Sequence, residues 1–232
     1  MRSKMKSRFI FFLILVNFVS LLFPENKNET NYIKECVNNY YYKDNYKNWI
    51  MGASSVLHEN GKEDGFYDRN KLFDKDLSTS WVEGVSGDGI GEYILLQVYE
   101  DGFLGEEYFN IKDKKIRTIL TINNGFCKNY DLYCKNNRVK KAKITIYDMS
   151  LRVGQNETVV DDNPEIIFSD TVSLEDKMEA QIIPIEFFLK KYHTTSTPEI
   201  VLKFEILEVY KGSLYEDTAI SELKVIGNYI EN

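Results

Sequence analysis

The chain has 232 residues, 28% of them charged and 14% aromatic, with a formal net charge of −7. That length buries one ordinary core, and the aromatic content is too high for a disordered segment. The acidic surplus argues against a nucleic-acid partner. Two histidines (His58, His193) and three cysteines (Cys36, Cys127, Cys134) leave little from which to build zinc clusters or histidine-dependent triads, so composition points away from an enzyme.

In chain order, the first predicted element is an export signal. Residues 1–23 carry Arg2, Lys4, Lys6 and Arg8 without an acid, then the apolar run Phe9 to Val16 that continues to Phe23. Asn17 and Ser20 interrupt a stretch already short of the roughly 20 residues a membrane span needs. A secretory signal peptide is expected, with an uncleaved N-terminal anchor as the alternative. Both place the domain outside the cytosol: periplasmic, at the cell surface or secreted. Membrane contact is expected only through this segment. Without it, 25 basic residues face 36 acidic ones, near −11. Residues 24–50, rich in Asn, Lys, Glu and Tyr, read as a tether, with one helical turn around Ile33 to Val37 and with Trp49 placed to stack on another surface.

From residue 51 to 232 the pattern is β. Ile94, Leu96 and Val98 alternate with their neighbours, as do Ile116, Thr118, Leu120 and Ile122, then Ala142, Ile144 and Ile146, then Ile200, Leu202, Phe204 and Ile206. Glu165 to Val172, Gln181 to Ile185 and Ile220 to Ile226 add three more candidates. Pro184 puts the Gln181 strand near an edge. Helical periodicity shows only weakly, in Ile185 to Tyr192. Period-2 segments separated by Gly, Asn, Asp and Ser clusters predict an all-β fold, an antiparallel β-sandwich. Trp81, entering the first core strand, is expected between the sheets.

The spacing of Asp74, Asp76 and Thr79 suits a tight loop that turns oxygens onto one hard cation. The competing reading makes the two aspartates Asx-turn residues and pairs Glu222 with a lysine. Glu83 to Glu92 holds four glycines, an irregular loop, without the lysine or helix of a phosphate cradle. Lys135, Arg138, Lys140, Lys141 and Lys143 form a basic concentration. Arg138 either holds a ligand or pairs internally with Glu83, Asp88 or Glu92; a solvated strand face accounts for Lys141 and Lys143. Cys127 and Cys134, seven apart in an exported domain, are expected to bridge, with two free thiols as the alternative. Glu106 and Glu107, adjacent, cannot flank one glycosidic bond from a strand.

Three stretches carry a resemblance: Ala53-Ser54-Ser55 with Leu72 to Glu92; Asn124-Gly125-Phe126 through Lys140; and Val209 to Glu222. Together they resemble the NADase-type glycan-binding domain, a discoidin-like module similar to the translocation domain of a secreted bacterial NAD glycohydrolase toxin. The resemblance runs from about Ala53 to Ile226. It implies a galactose-binding-like jelly roll and a non-catalytic module that attaches to glycans at a cell surface or envelope. The alternative is an adhesion protein that uses the same sandwich to hold another protein. It also implies structural Ca²⁺ held by Asp74, Asp76, Thr79 and Glu222. Sugar binding on a jelly roll uses loops at one end, where Glu83, Asp88, Asn124, Tyr130, Tyr133, Asn136, Arg138 and Tyr210 are the candidate ligand residues, with Arg138 the most costly to lose.

Overall fold

The structure is a computed structural model and describes residues 50–98, 115–153, 158–160, 164–188 and 197–231. The expected signal, all of the tether but Ile50, and Glu106-Glu107 lie outside the described residues.

The elements in order are β1 (Ile50–Ala53), a 3₁₀ turn (Arg69–Phe73), β2 (Trp81–Val82), β3 (Tyr93–Gln97), β4 (Lys115–Asn124), α1 (Tyr130–Lys135), β5 (Arg138–Val153), β6 (Thr158–Val160), β7 (Glu165–Ser173), β8 (Gln181–Phe188), β9 (Thr197–Tyr210) and β10 (Ala219–Glu231). They form two antiparallel sheets. One runs β1-β3-β9-β5, with β6 and β7 both pairing with β5; the other runs β2-β10-β4-β8. The expected sandwich is therefore present, and the edge position of Pro184 follows from β8 pairing with β4.

The alternation in the sequence explains the layers. In β8 Gln181, Ile183, Ile185 and Phe187 are buried while Ile182, Pro184, Glu186 and Phe188 are exposed. Ile116, Thr118, Leu120 and Ile122 of β4 turn inward in the same way. They meet Ile94, Leu96, Ala142, Ile144, Ile146, Leu202 and Phe204 of the facing sheet in one core. Trp81 is fully buried, and its indole N–H donates to the Ser55 carbonyl at 3.0 Å, so burying the ring leaves no polar atom unpaired.

Two expectations are corrected here. The weak helical pattern at Ile185 is strand through Phe188, because period 2 continues and Arg117 of β4 holds Glu186 at 2.6 Å. The tether's last residue, Ile50, is already strand, opposite Leu96. The sequence reading also lacked β1, β6 and α1.

Strand direction places the described loops. β1, β4, β7 and β9 finish where β3, β5, β8 and β10 begin. Residues 54–92, 125–137, 174–180 and 211–218 thus gather at one end of the sandwich.

Candidate binding site

At this loop end Arg138, the first residue of β5, is almost completely covered, its side chain 8% exposed. It donates from Nε and Nη2 to the two carboxylate oxygens of Asp176, at 3.0 and 2.6 Å. Nη1 donates to the Asn136 carbonyl at 3.1 Å and the Lys211 carbonyl at 3.0 Å. The guanidinium lies over the Tyr133 ring, 5.0 Å from its centroid, with the Tyr210 ring centroid at 6.0 Å. Such a planar fork on a carboxylate is the strongest ion-pair geometry available to a protein. It holds the Asp176 carboxyl below the usual carboxylate range. Tyr133 Oη also donates to Asp176, at 2.8 Å. Gly125, at φ +88°, lets these rings close in: a Cβ there would stand 2.5 Å from Arg138 Cγ.

The internal pairing expected of Arg138 thus exists with a different partner. Glu83, Asp88 and Glu92 are engaged elsewhere. Glu83 is fully buried under the glycine loop and accepts from the Thr218 N–H at 3.1 Å and the Val85 N–H at 2.8 Å. Gly89 permits this close approach, since a Cβ would come within 2.5 Å of Glu83 Cγ. Glu92 accepts from the hydroxyl of Ser54 at 2.6 Å and from that of Ser55. Asp88 accepts from Asn137 Nδ2 at 3.1 Å and from the Lys211 ammonium, which lowers its pKa.

Lys211 joins the two groups, its carbonyl on Arg138 and its ammonium on Asp88. Asn137 adds a second tie, from Nδ2 to the Glu216 carbonyl at 2.5 Å and from the Gly212 N–H to its Oδ1 at 2.7 Å. Tyr133 and Arg138 therefore converge on Asp176, with the Asn136 carbonyl and the Tyr210 ring against Arg138, while Glu83 and Asp88 sit beside Thr218. Asn124 is committed to the Val139 backbone, donating to its carbonyl at 2.7 Å and accepting from its N–H at 2.9 Å. Asn136 donates to the Leu132 carbonyl at 2.8 Å. Tyr130 stands apart, 73% exposed and stacked on Tyr133 with centroids 6.5 Å apart. Asn137 and Lys211 were missed although they lie in or beside the recognised stretches. Asp176, in Leu174-Glu175-Asp176-Lys177, carried no signal at all. Among the basic residues, Lys140 and Lys141 pair with Glu208, as a solvated strand face should.

The bridge between Cys127 and Cys134 is corrected: both are free thiols. Cys127 is buried and points its Sγ at the carbonyls of Asn124 and Gly125, at 3.3 and 3.6 Å. Burial pushes its thiol up to about 11, so it stays protonated. Cys134 is carried away on α1, which Asn129 caps by accepting from the Leu132 N–H at 2.8 Å.

At the expected cation loop the two aspartates make the turn bonds of the competing reading. Asp74 accepts from the Asp76 N–H at 2.9 Å and from the Thr79 hydroxyl at 2.7 Å, and Asp76 accepts from the Ser78 N–H at 2.9 Å, which are Asx-turn bonds. The lysine expected on Glu222 does not bond to it. Glu222 is 6% exposed, and neither carboxylate oxygen has a hydrogen-bond partner. Burial raises its pKa, with smaller opposing pulls from the Lys75 and Asp76 backbone and from Lys224, and Asp74 nearby raises it further. Lys75 takes a positive φ of 63° at the turn. Among the described residues no three acidic, histidine or cysteine side chains converge. A cation here would be held by Glu222 and Asp74 with hydroxyl and backbone oxygens. An orphaned buried carboxylate beside an oxygen-rich turn fits a hard cation, since Ca²⁺ takes oxygen ligands of these kinds.

Glu83 supplies a pH signature. Burial pushes its carboxyl up to about 7, against an ordinary value of 4.5. Below the ordinary value both the folded and unfolded chains hold the proton. As pH rises toward 7 only the unfolded chain releases it, so this group's contribution to stability falls across that window. At 1.36 kcal/mol per pKa unit the fall is roughly 2–3 kcal/mol. Melting curves between pH 4.5 and 7 are expected to show it, and Glu83→Gln is expected to remove that slope. An unchanged slope in the variant would assign it to another group.

A family described as the NAD glycohydrolase translocation F5/8 type C domain matches residues 40–226. No curated protein sequence matches the chain. Among solved structures, the arabinofuranosyltransferase AftD from Mycobacteria aligns at 13% identity and a TM-score of 0.36, over 75% of this chain and 10% of its own. A CBM4 structure aligns at 12% identity and 0.30, over 60% and 63%, and a xylan-binding module, CBM15, at 8% and 0.29, over 77% and 90%.

Proposed function

Because the chain belongs to the NAD glycohydrolase translocation F5/8 type C domain family, we propose that it is an exported, non-catalytic carbohydrate-binding module that attaches through its loop end to glycans at a cell surface or envelope. The observation that carries this reading is the loop end itself. Arg138, Asp88, Asn137 and Lys211 fix four loops against each other. Tyr130 then offers an exposed ring on a preformed surface, stacked on Tyr133 beside the Arg138–Asp176 pair. Sugar rings dock apolar faces on such rings while their hydroxyls take polar partners, and prior ordering of the loops reduces the entropy lost on binding. Ca²⁺ held by Glu222 and the Asp74–Thr79 turn would cross-link the last strand to the first long loop, a structural role.

A second reading, attachment to another protein, is favoured by Ile90 and Leu214, which are 59% and 62% exposed on the same end. A glycan array with the full chain separates the two. Retention on a defined sugar class, weakened about tenfold by Tyr130→Ala at unchanged melting temperature, is the expected result. A silent array together with a stoichiometric protein partner would replace the glycan reading with the second.

A further inference from the structure

A cavity of about 220 Å³ opens at the loop end, and every residue lining it belongs to the single run 57–67. The run folds back on itself through three turns, with the Lys62, Phe66 and Asp68 N–H groups donating to the carbonyls of Glu59, Glu63 and Gly65 at 3.1, 3.2 and 3.1 Å. Its base is fixed to the sandwich. Tyr67 packs edge-on against Phe126, in a small apolar cluster that includes Val82, Ala219 and Leu132 of α1. Tyr67 Oη donates to Glu59 Oε2 at 2.7 Å, which holds the Glu59 carboxylate in place at the wall. Phe66, 38% exposed, stands at the rim. The cavity is thus a built feature of a loop that the sequence reading passed over.

Its chemistry selects a ligand. The lining carries three carboxylates, Glu59, Glu63 and Asp64, against two basic side chains, His58 and Lys62, the Lys62 ammonium lying 4.6 Å from the centroid of the Phe66 ring. Asp217 lies near enough to act on Tyr67. An anionic sugar entering here would meet like charge, whereas hydroxyls or an ammonium would find acceptors. The volume is below the roughly 300–1,000 Å³ of sites that take drug-sized ligands. It suits one ring and not a chain. Resting on the glycan reading above, we propose that the 57–67 cavity takes one terminal sugar ring, neutral or amine-bearing, with Glu59 accepting its hydroxyl or ammonium protons and Phe66 covering its apolar face, and that this cavity sets which glycans the domain holds.

The test uses the full chain on an array of immobilised galactose, N-acetylglucosamine, glucosamine, sialylated lactose and sulfated lactose, with wild type, Glu59→Gln and Phe66→Ala compared. Both positions are at the loop surface, and melting temperatures verify that the variants fold. Expected is retention on a neutral or amine-bearing sugar, with at least a tenfold loss in each variant. Preference for the sialylated or sulfated probe overturns the proposal. Equal binding by wild type and both variants overturns it while leaving the glycan reading standing. Silence of the wild type on every probe removes both.

Discussion

Arg138→Ala is expected to cost about 3 kcal/mol, near the lower end of the 3–5 kcal/mol found when one partner of a buried ion pair is removed. The lower end applies because Asp176 remains 38% exposed and water can partly solvate it once the guanidinium is gone. The variant also leaves the Asn136 and Lys211 carbonyls without their donor and opens space between the Tyr133 and Tyr210 rings. In a domain of this size the loss should appear as a fall in melting temperature of roughly 6–12 °C. Arg138→Lys should recover only part of it, because an ammonium keeps the charge and not the planar fork. Acid should reproduce the effect. The folded Asp176 pKa is depressed, so its contribution is complete above the ordinary aspartate value and is lost as pH falls through the lower folded one. A melting temperature equal to that of wild type would mean the four loops are held together by something else.

Chelation is the second large effect. With calcium at a hundred times its dissociation constant, binding to the folded chain alone contributes about 2.7 kcal/mol. EDTA is therefore expected to lower the wild-type melting temperature by several degrees and calcium to restore it. Glu222→Gln should melt at the same temperature with and without EDTA. In EDTA it should also melt above wild type, because a buried carboxylate with no hydrogen-bond partner is a burden once no cation faces it. Wild-type protein indifferent to EDTA would remove the metal site and leave the Asp74–Thr79 turn as a capped loop.

The sandwich was legible in the sequence because its signal is local and repeated. Ile116, Thr118, Leu120 and Ile122 announce an inward face, and the same alternation carries β8 to Phe187. Trp81 was placed correctly since a large indole at a strand entry has few other places to go. What escaped was set by partners distant in sequence. Arg138 and Asp176 are 38 residues apart, and nothing in the spacing of either names the other; the acids of the glycine-rich loop drew the assignment although they lie farther away in sequence. The cysteine pair failed for the opposite reason. Seven residues suggested a closed loop, but an Asn129 cap and a six-residue helix occupy that stretch instead. The 57–67 loop has no periodicity and no unusual composition, so only its folded shape shows the cavity.

Strand direction has a practical corollary. β1 runs from Ile50 toward the loop end and β10 runs from it toward Glu231, so the described chain enters and leaves the sandwich on the side away from the loops. A capture tag or fluorescent label joined beyond Glu231 therefore attaches remote from Tyr130 and the 57–67 cavity. Sensor-surface and array measurements made through such a handle hold the molecule by its back, and a fusion built there leaves its contact surface facing outward.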